Sequence, residues 1–273
     1  MEEIDVVILT KNSARTIRRC LDSLHSLFKP HCLIVVDGGS SDETLSLVER
    51  EGARLIQAPS LRVGKARQVG IEATDTEWFM FLDSDVYLER LPPQLSSHLN
   101  DDGCGLIDWV PKEPHPFMAW REATMRLSLF LRRRKPPSGH TLARRSRAFT
   151  GNAFIRKSAV LGINLPNISA FEDWLIQRYI ETNGSGWVRL EDAQFSYHDF
   201  EANVEAHHVL ESGAYAVMLG FEALRRVLFR FAYFIPRSLL LLGYVGSVRI
   251  WLYFVKLQIR YTAGALKGWF ASK

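Results

Sequence analysis

Trp78–Val86 reads WFMFLDSDV. The five apolar residues Trp78 to Leu82 do not alternate with polar ones, as expected of a strand covered on both faces in the parallel sheet of an α/β domain. Ligands of such sheets collect beyond the carboxyl ends of the strands. Asp83 and Asp85 stand at that end. Two carboxylates there make a hard-oxygen site suited to Mg²⁺ or Mn²⁺, ions that share their oxygen ligands with a substrate diphosphate. Short acidic triplets also cap helices or stabilise turns, so Asp-Ser-Asp alone does not separate the two readings.

The flanking sequence repeats the strand, turn, helix order. Asp5 to Thr10 (DVVILT) is a compact apolar strand; Lys11, Asn12 and Ser13 follow, then a helical pattern through Ile17, Leu21 and Leu24. Leu33 to Val36 is a further strand, and Asp37-Gly38-Gly39-Ser40-Ser41-Asp42 after it permits a tight turn. Ser41 or Asp42 is placed to cap a helix starting near Glu43. Arg54 to Gln57 reads as a short strand and Val63 to Ala73 as a helix, which together predict a doubly wound nucleotide-binding half.

These segments resemble the family-2 glycosyltransferases of the GT-A fold. The resemblance is carried by VVILTKNSARTIRRCLDSL, IVVDGGSSDET, GKARQVGIEA, FLDSDV, TGNAF at Thr150 to Phe154 and FEDW at Phe171 to Trp174, which span most of Asp5 to Phe200 in the expected order. It implies a mixed GT-A sheet flanked by helices. It also implies inverting, metal-dependent transfer of a hexosyl group, mannosyl among the possibilities, from a UDP- or GDP-linked sugar.

The same resemblance places the donor base and ribose against Thr10, Asn12 and Asp37. A carboxylate at a strand end can accept from a ring N–H, although Asp37 would equally suit an Asx turn. Lys65 and Arg67 lie on a helix approaching the diphosphate, with solvated surface charge as the alternative; Ser84 joins the donor-binding set. Asp83, Asp85 and His198 are the expected metal ligands, though a lone histidine is more often structural. Asp173 matches the general base that deprotonates an acceptor hydroxyl. Glu172 would contact the acceptor or orient Asp173, unless both acids only begin the helix Trp174 to Tyr179, where they favour the dipole.

Other chemistries lack their motifs. The chain has no Gly-x-x-x-x-Gly-Lys-Ser/Thr, no Gly-x-Gly-x-x-Gly after the first strand and no Gly-x-Ser-x-Gly. Cys20, Cys32 and Cys104 are scattered and odd in number, so neither a disulfide framework nor a zinc site is expected, and a reducing compartment is. No signal peptide is visible.

The 273 residues carry a formal net charge of +4, unevenly distributed. Ala223 to Lys273 hold nine Lys or Arg and no Asp or Glu, leaving 25 basic and 30 acidic residues elsewhere, a net of −5. This tail, RRVLFRFAYFIPRSLLLLGYVGSVRIWLYFVKLQIRY, interleaves cations with large apolar and aromatic residues, the composition of a helix lying in a membrane interface. Pro236 is expected to separate two helical pieces, and Gly243 and Gly246 to bend or closely pack the second. Ser238 to Val255 is near the roughly 17-residue lower limit for a span. Arg249 inside that window costs about 2.5 to 3.5 kcal/mol, against about 0.3 to 0.6 gained per large aliphatic residue. A monotopic anchor on an anionic membrane surface is favoured, with one span or a helix pair packing on a partner as alternatives. Interleaved aliphatic residues disfavour nucleic acid.

Between these regions, Trp109 to Phe149 shows no clean sheet pattern. An amphipathic helix is expected from Phe117 to Leu131, followed by Arg132-Arg133-Arg134-Lys135 and Arg144-Arg145-Ser146-Arg147 in a loop near function. The expected organisation is a catalytic domain over 1–202, with halves 1–87 and 88–202, and a membrane-associating helical region over 203–273. The combined expectation is a cytoplasmic-face enzyme acting on a polyprenyl phosphate or lipid-linked glycan. A non-catalytic nucleotide-sugar-binding scaffold, a nucleotidyltransferase, and a soluble-acceptor enzyme with a partner-binding tail are the alternatives.

Overall fold

The structure, a computed structural model, describes residues 3–91, 103–106, 109–111, 150–190, 196–199 and 202–273. The expected amphipathic helix at Phe117 to Leu131 and the arginine-rich loop after it lie outside the described residues. In chain order the elements are β1 (Ile4–Thr10), α1 (Ala14–Leu27), β2 (Leu33–Asp37), α2 (Thr44–Arg50), β3 (Arg54–Gln57), α3 (Val63–Ala73), β4 (Trp78–Asp83) and β5 (Val86–Leu88). Then come β6 (Gly103–Leu106), β7 (Trp109–Pro111), β8 (Asn152–Arg156), α4 (Glu172–Thr182), β9 (Trp187–Leu190) and β10 (Ser196–His198). The chain closes with α5 (Ala202–Met218), α6 (Leu224–Val245) and α7 (Val248–Ala271). Two compact units result, the three last helices belonging to the second.

The first unit is a mixed sheet in the order β3-β2-β1-β4-β8-β6-β9, with a small sheet β5-β10-β7. β1, β2, β3 and β4 run parallel, while β8 is antiparallel to both β4 and β6. The apolar runs are explained by helices on both faces. Val6 and Ile8 of β1 and Trp78, Met80 and Leu82 of β4 pack with Ile17, Leu21 and Leu24 of α1. Val7, Phe79 and Phe81 point the other way, into the cluster with Ile71 of α3 and Ile176 and Ile180 of α4. Each such side chain, fully buried, contributes about 1.5 to 3 kcal/mol.

The register fixes where chemistry can occur. Thr10 pairs with Asp37 and Leu9 with Asp83, so the ends of β1, β2 and β4 form one carboxyl edge. At the opposite end Asp5, fully buried, accepts N–H groups of Asp75 (2.6 Å) and Thr76 (3.1 Å) and contacts His31 Nδ1 at 2.9 Å. Burial works against the Asp5 carboxylate, but these bonds prevail and hold its pKa below the usual value.

One local expectation is met in part and one is corrected. The cap position of α2 is Glu43, with no side-chain bond to the helix. Asp42 accepts from Thr44 N–H (3.0 Å) and from Ala14 N–H at the start of α1 (3.0 Å), so one carboxylate serves two helix N-termini. The strand at Trp109–Pro111 replaces the patternless start expected there; three residues are too few for a period to show.

In the second unit α6 continues through Pro236, and the break falls at Gly246, held at φ 66°. The left-handed position costs glycine little, so the chain reverses there and Ser247 caps α7 through Ile250 N–H. The window Ser238 to Val255 is thereby divided between two helices, and among the described residues no helix is long and apolar enough to cross a membrane. α5 and α7 meet backbone to backbone: a Cβ on Gly264 would lie 1.9 Å from the Leu210 carbonyl oxygen, and one on Gly268 2.3 Å from that of Ala214.

Candidate functional site

The expected residues gather at the carboxyl edge through a buried arginine. α3 rests close on the sheet, since a Cβ on Gly70 would lie 2.5 Å from Val7 Cγ1. That approach drives Arg67, 4% exposed, beneath the edge. Its Nη2 donates to Asp83 Oδ1 (2.9 Å), its Nε to Glu172 Oε1 (3.4 Å) and its Nη1 to the Thr150 carbonyl (3.4 Å), while the guanidinium lies 4.7 Å from the centroid of Phe81. Burial disfavours its charge, but Asp83 and then Glu172 outweigh this and raise its pKa. Arg67 is therefore a structural cation held between two carboxylates, not a solvated surface charge. Lys65, two residues earlier, donates instead to Asn164 Oδ1 (2.8 Å) and Gln68 Oε1 (3.0 Å) and does not join this group.

Glu172 and Asp173 open α4, 9% and 6% exposed. Burial pushes the Glu172 carboxyl up, against the pull of Arg67. Asp173 Oδ1 accepts the N–H of Trp174 at 2.8 Å. Both acids do begin the helix, and Phe171 just before them is held at φ 71°, an uncommon conformation for an aromatic residue that directs the pair into position. The first half of the alternative weighed from sequence is thus met, while the burial of both acids exceeds what a helix start requires.

The two aspartates of the DSD triplet have different partners. Asp83 is bound to Arg67, and its backbone N–H donates to the Gly151 carbonyl (2.9 Å). A Cβ on Gly151 would lie 2.5 Å from Asp83 Oδ2, so only glycine leaves room for that carboxylate. Asp85 Oδ2 lies 3.0 Å from His198 Nε2, because β10 pairs with β5 and the Asp199 N–H bonds to the Asp85 carbonyl (2.8 Å). Ser84 Oγ meets Ser13 Oγ at 2.9 Å.

The base-side residues form a stitched loop pair. Asp37 Oδ2 accepts the N–H groups of Gly39 (2.8 Å) and Ser40 (2.9 Å), and Oδ1 accepts the Ser40 hydroxyl, so the Asx-turn reading is realised. Asn12, at φ 51°, donates its N–H to Ser40 Oγ (2.8 Å) and accepts from Ser41 N–H (2.8 Å). Thr10 Oγ1, buried beside Asp37 in register, has no hydrogen-bond partner among the described residues. Ser13, Ser40 and Gly151 are site residues that sequence reasoning did not single out. Each left a signal only as part of a quoted motif: Ser13 after Asn12, Ser40 in the DGGSSD turn and Gly151 in TGNAF.

A divalent cation fits part of this set. Asp85 and His198 offer a carboxylate oxygen and an imidazole nitrogen side by side, but among the described residues no group of three His, Cys, Asp or Glu is arranged around one point. Mg²⁺ and Mn²⁺ commonly use one or two protein carboxylates and complete their shell with water and phosphate oxygens.

Residues 5–160 match the family described as Glycosyl transferase family 2. The chain belongs to this family. Thr10, Asp37, Arg67, Asp83 and Asp85 fall within the matched residues, whereas Glu172, Asp173 and His198 lie beyond them. An uncharacterized glycosyltransferase of Rickettsia felis is 31% identical over 90 residues, 33% of this chain and 31% of that protein. Poly(ribitol-phosphate) beta-N-acetylglucosaminyltransferase TarS of Staphylococcus aureus is 31% identical over 99 residues, 33% of this chain and 17% of TarS. The matched stretch is thus under a third of either relative. The crystal structure of TarS 1-349 in complex with UDP-GlcNAc aligns with TM-score 0.54 and 17% identity over 98% of this chain and 92% of that one. The mannosyltransferase PcManGT of Pyrobaculum calidifontis, in complex with GDP-Man and Mn²⁺, aligns with TM-score 0.60 and 14% identity over 100% and 88%. At these identities the family-2 likeness in structure is one of fold, a mixed α/β unit of GT-A type.

Proposed function

We propose that this family-2 glycosyltransferase transfers a sugar from a UDP- or GDP-linked donor, with inversion and with a divalent metal, to a lipid-linked acceptor at the cytoplasmic face of a membrane. The observation that carries the reading is the convergence of Asp83, Glu172 and the adjacent Asp173 around buried Arg67 at the carboxyl edge of the sheet. One solved relative in fold binds UDP-GlcNAc and another binds GDP-Man together with Mn²⁺, which supports the donor class and the metal.

In this reading Thr10 Oγ1, Asn12 and the remaining lone pairs of Asp37 meet the base and ribose, and Ser84 lies along the path to the diphosphate. Asp85 and His198 would hold Mn²⁺ or Mg²⁺, which supplies positive charge to the departing diphosphate. Arg67 fixes Asp83 and Glu172 against each other, so the wall of the donor site is rigid before substrate arrives. Asp173 takes the proton of an attacking acceptor hydroxyl, and Glu172 orients it. The basic, aromatic tail supports the membrane location, which would concentrate a lipid acceptor.

The donor half is tested by thermal stabilisation with UDP and with GDP, each with and without Mn²⁺, on the wild type and the Asp83→Ala/Asp85→Ala variant. A nucleotide at a hundred times its Kd adds about 2.7 kcal/mol. A metal-dependent shift lost in the variant is expected; no shift with either nucleotide would sink the donor assignment. For the acceptor, Asp173→Asn loses about 10²-fold or more if a sugar hydroxyl attacks, and only a few-fold if the acceptor is a phosphate, already ionised near neutral pH.

A further inference from the structure

At the start of α6 the second unit carries a surface cavity of about 730 Å³ that no step of the proposed transfer uses. Its wall alternates arginines with aromatic rings: Arg225 and Arg226 beside Phe221, Phe229 and Tyr233. Phe229 is 76% exposed and Tyr233 56%, values unusual for rings of this size. The stripe continues along the same side of α6 through Leu239 and Leu240, opposite the buried Val227, Ser238 and Leu241. A large outward apolar stripe rimmed by polar groups marks an interaction surface.

The charges in the cavity are arranged for an anion. Glu222, the acid in its wall, is already satisfied: Arg230 grips both its oxygens (2.9 and 2.6 Å), and the Tyr261 hydroxyl donates to Oε2 (3.0 Å). Arg225 and Arg226 are exposed and have no ion pair or side-chain hydrogen bond among the described residues. From Ala223 to Lys273 no other acid competes for them. Two free guanidinium forks match phosphate oxygens, and rings and leucines alongside match acyl chains.

We propose that Arg225, Arg226, Phe229 and Tyr233 form a seat for the headgroup phosphate of an anionic phospholipid, the two arginines holding the phosphate while the rings enter the acyl boundary. The seat deepens, and for its location rests on, the proposed membrane-acting function. It makes α6 the helix that orients the enzyme on the bilayer, and the aliphatic continuation through Leu239 and Leu240 favours lipid over a nucleic acid or an acidic peptide.

The test is co-flotation of the full chain with vesicles of phosphatidylcholine alone, or of phosphatidylcholine and phosphatidylglycerol in equal parts, without any donor. Wild type should prefer the anionic vesicles, and Arg225→Gln/Arg226→Gln should lower that partition about thirty-fold, the loss expected of two cations held directly at the headgroup surface. Arg249→Gln/Lys267→Gln on α7 removes the same charge outside the seat and should cost no more than a few-fold. Phe229→Ser should weaken binding to both vesicle types. Equal losses for the two charge pairs would mean diffuse attraction without a seat, and no preference of the wild type for anionic vesicles would overturn the proposal outright. Nucleotide-induced thermal shifts on the same variants remain intact if only the seat is wrong, and are absent in wild type if the donor assignment is wrong, so the two failures are distinguishable.

Discussion

Arg67 and Arg226 are the same residue type in opposite settings. In the α/β unit the large apolar side chains lie inside, and the cation that accompanies them is buried between two carboxylates. In the helical unit large apolar side chains such as Phe229, Leu240 and Phe270 face outward, the arginines beside the cavity are exposed, and α5 and α7 are joined by small residues instead. The first arrangement yields a rigid site. The second yields a surface whose apolar area is left for a partner, because helices packed through glycine bring little side-chain area into their own interface.

The comparison breaks most sharply at its two arginines. Arg67→Met should cost about 3 to 5 kcal/mol in urea unfolding near neutral pH, since it leaves Glu172 buried without a counter-charge. Glu172 has a raised pKa in the folded state, so its unfavourable ionisation is absent below its ordinary pKa and appears as pH rises through the raised value. The loss in Arg67→Met should accordingly shrink in acid. Arg226→Gln should stay within about 0.5 kcal/mol of wild type. Similar losses for both would mean that the arginines of the two units are not differently used.

The packing contrast is tested next. Gly264→Ala pushes a methyl group to 1.9 Å from the Leu210 carbonyl oxygen and should cost about 1 to 3 kcal/mol or separate the helices, as read by far-ultraviolet circular dichroism and urea titration. In the α/β unit, Gly151→Ala should leave the fold intact but displace the Asp83 carboxylate, lowering transfer about ten-fold through misplacement of the proposed donor wall. An unchanged rate would show that the position of Asp83 is not critical.

The smallest effect belongs to the far end of the sheet. The hydrogen bond to Asp5 raises the His31 pKa above 6.5, and partial burial opposes it. The contribution of His31 is therefore present in full below pH 6.5 and disappears as pH rises through the raised value. His31→Gln should flatten that decline in the pH profile of unfolding while transfer is unaltered. A profile unchanged by the substitution would remove the His31 to Asp5 contact from the stability of this edge.

The sequence by itself determined β1 to β4, the helix Val63–Ala73 to the residue, and the carboxyl edge on which Thr10, Asp37 and Asp83 stand. Unalternating apolar runs and turn chemistry are properties of short windows, and such windows are read without knowing what packs across them. The tail was legible in composition only: Pro236 was the strongest local breaker, yet α6 runs through it and turns at Gly246, because tertiary packing overrides a local propensity of a few kcal/mol. What only the tertiary structure decided is which charges meet. Lys65 and Arg67 looked equivalent in sequence, but two residues rotate a helix by roughly 200°, so one faces Asn164 and the other the buried carboxylates. Asp83 and Asp85 likewise parted, toward Arg67 and His198. No local pattern joins residue 67 to residue 172; the close seating of α3 on the sheet and the bond from Gly64 N–H to the Ile168 carbonyl (2.8 Å) do.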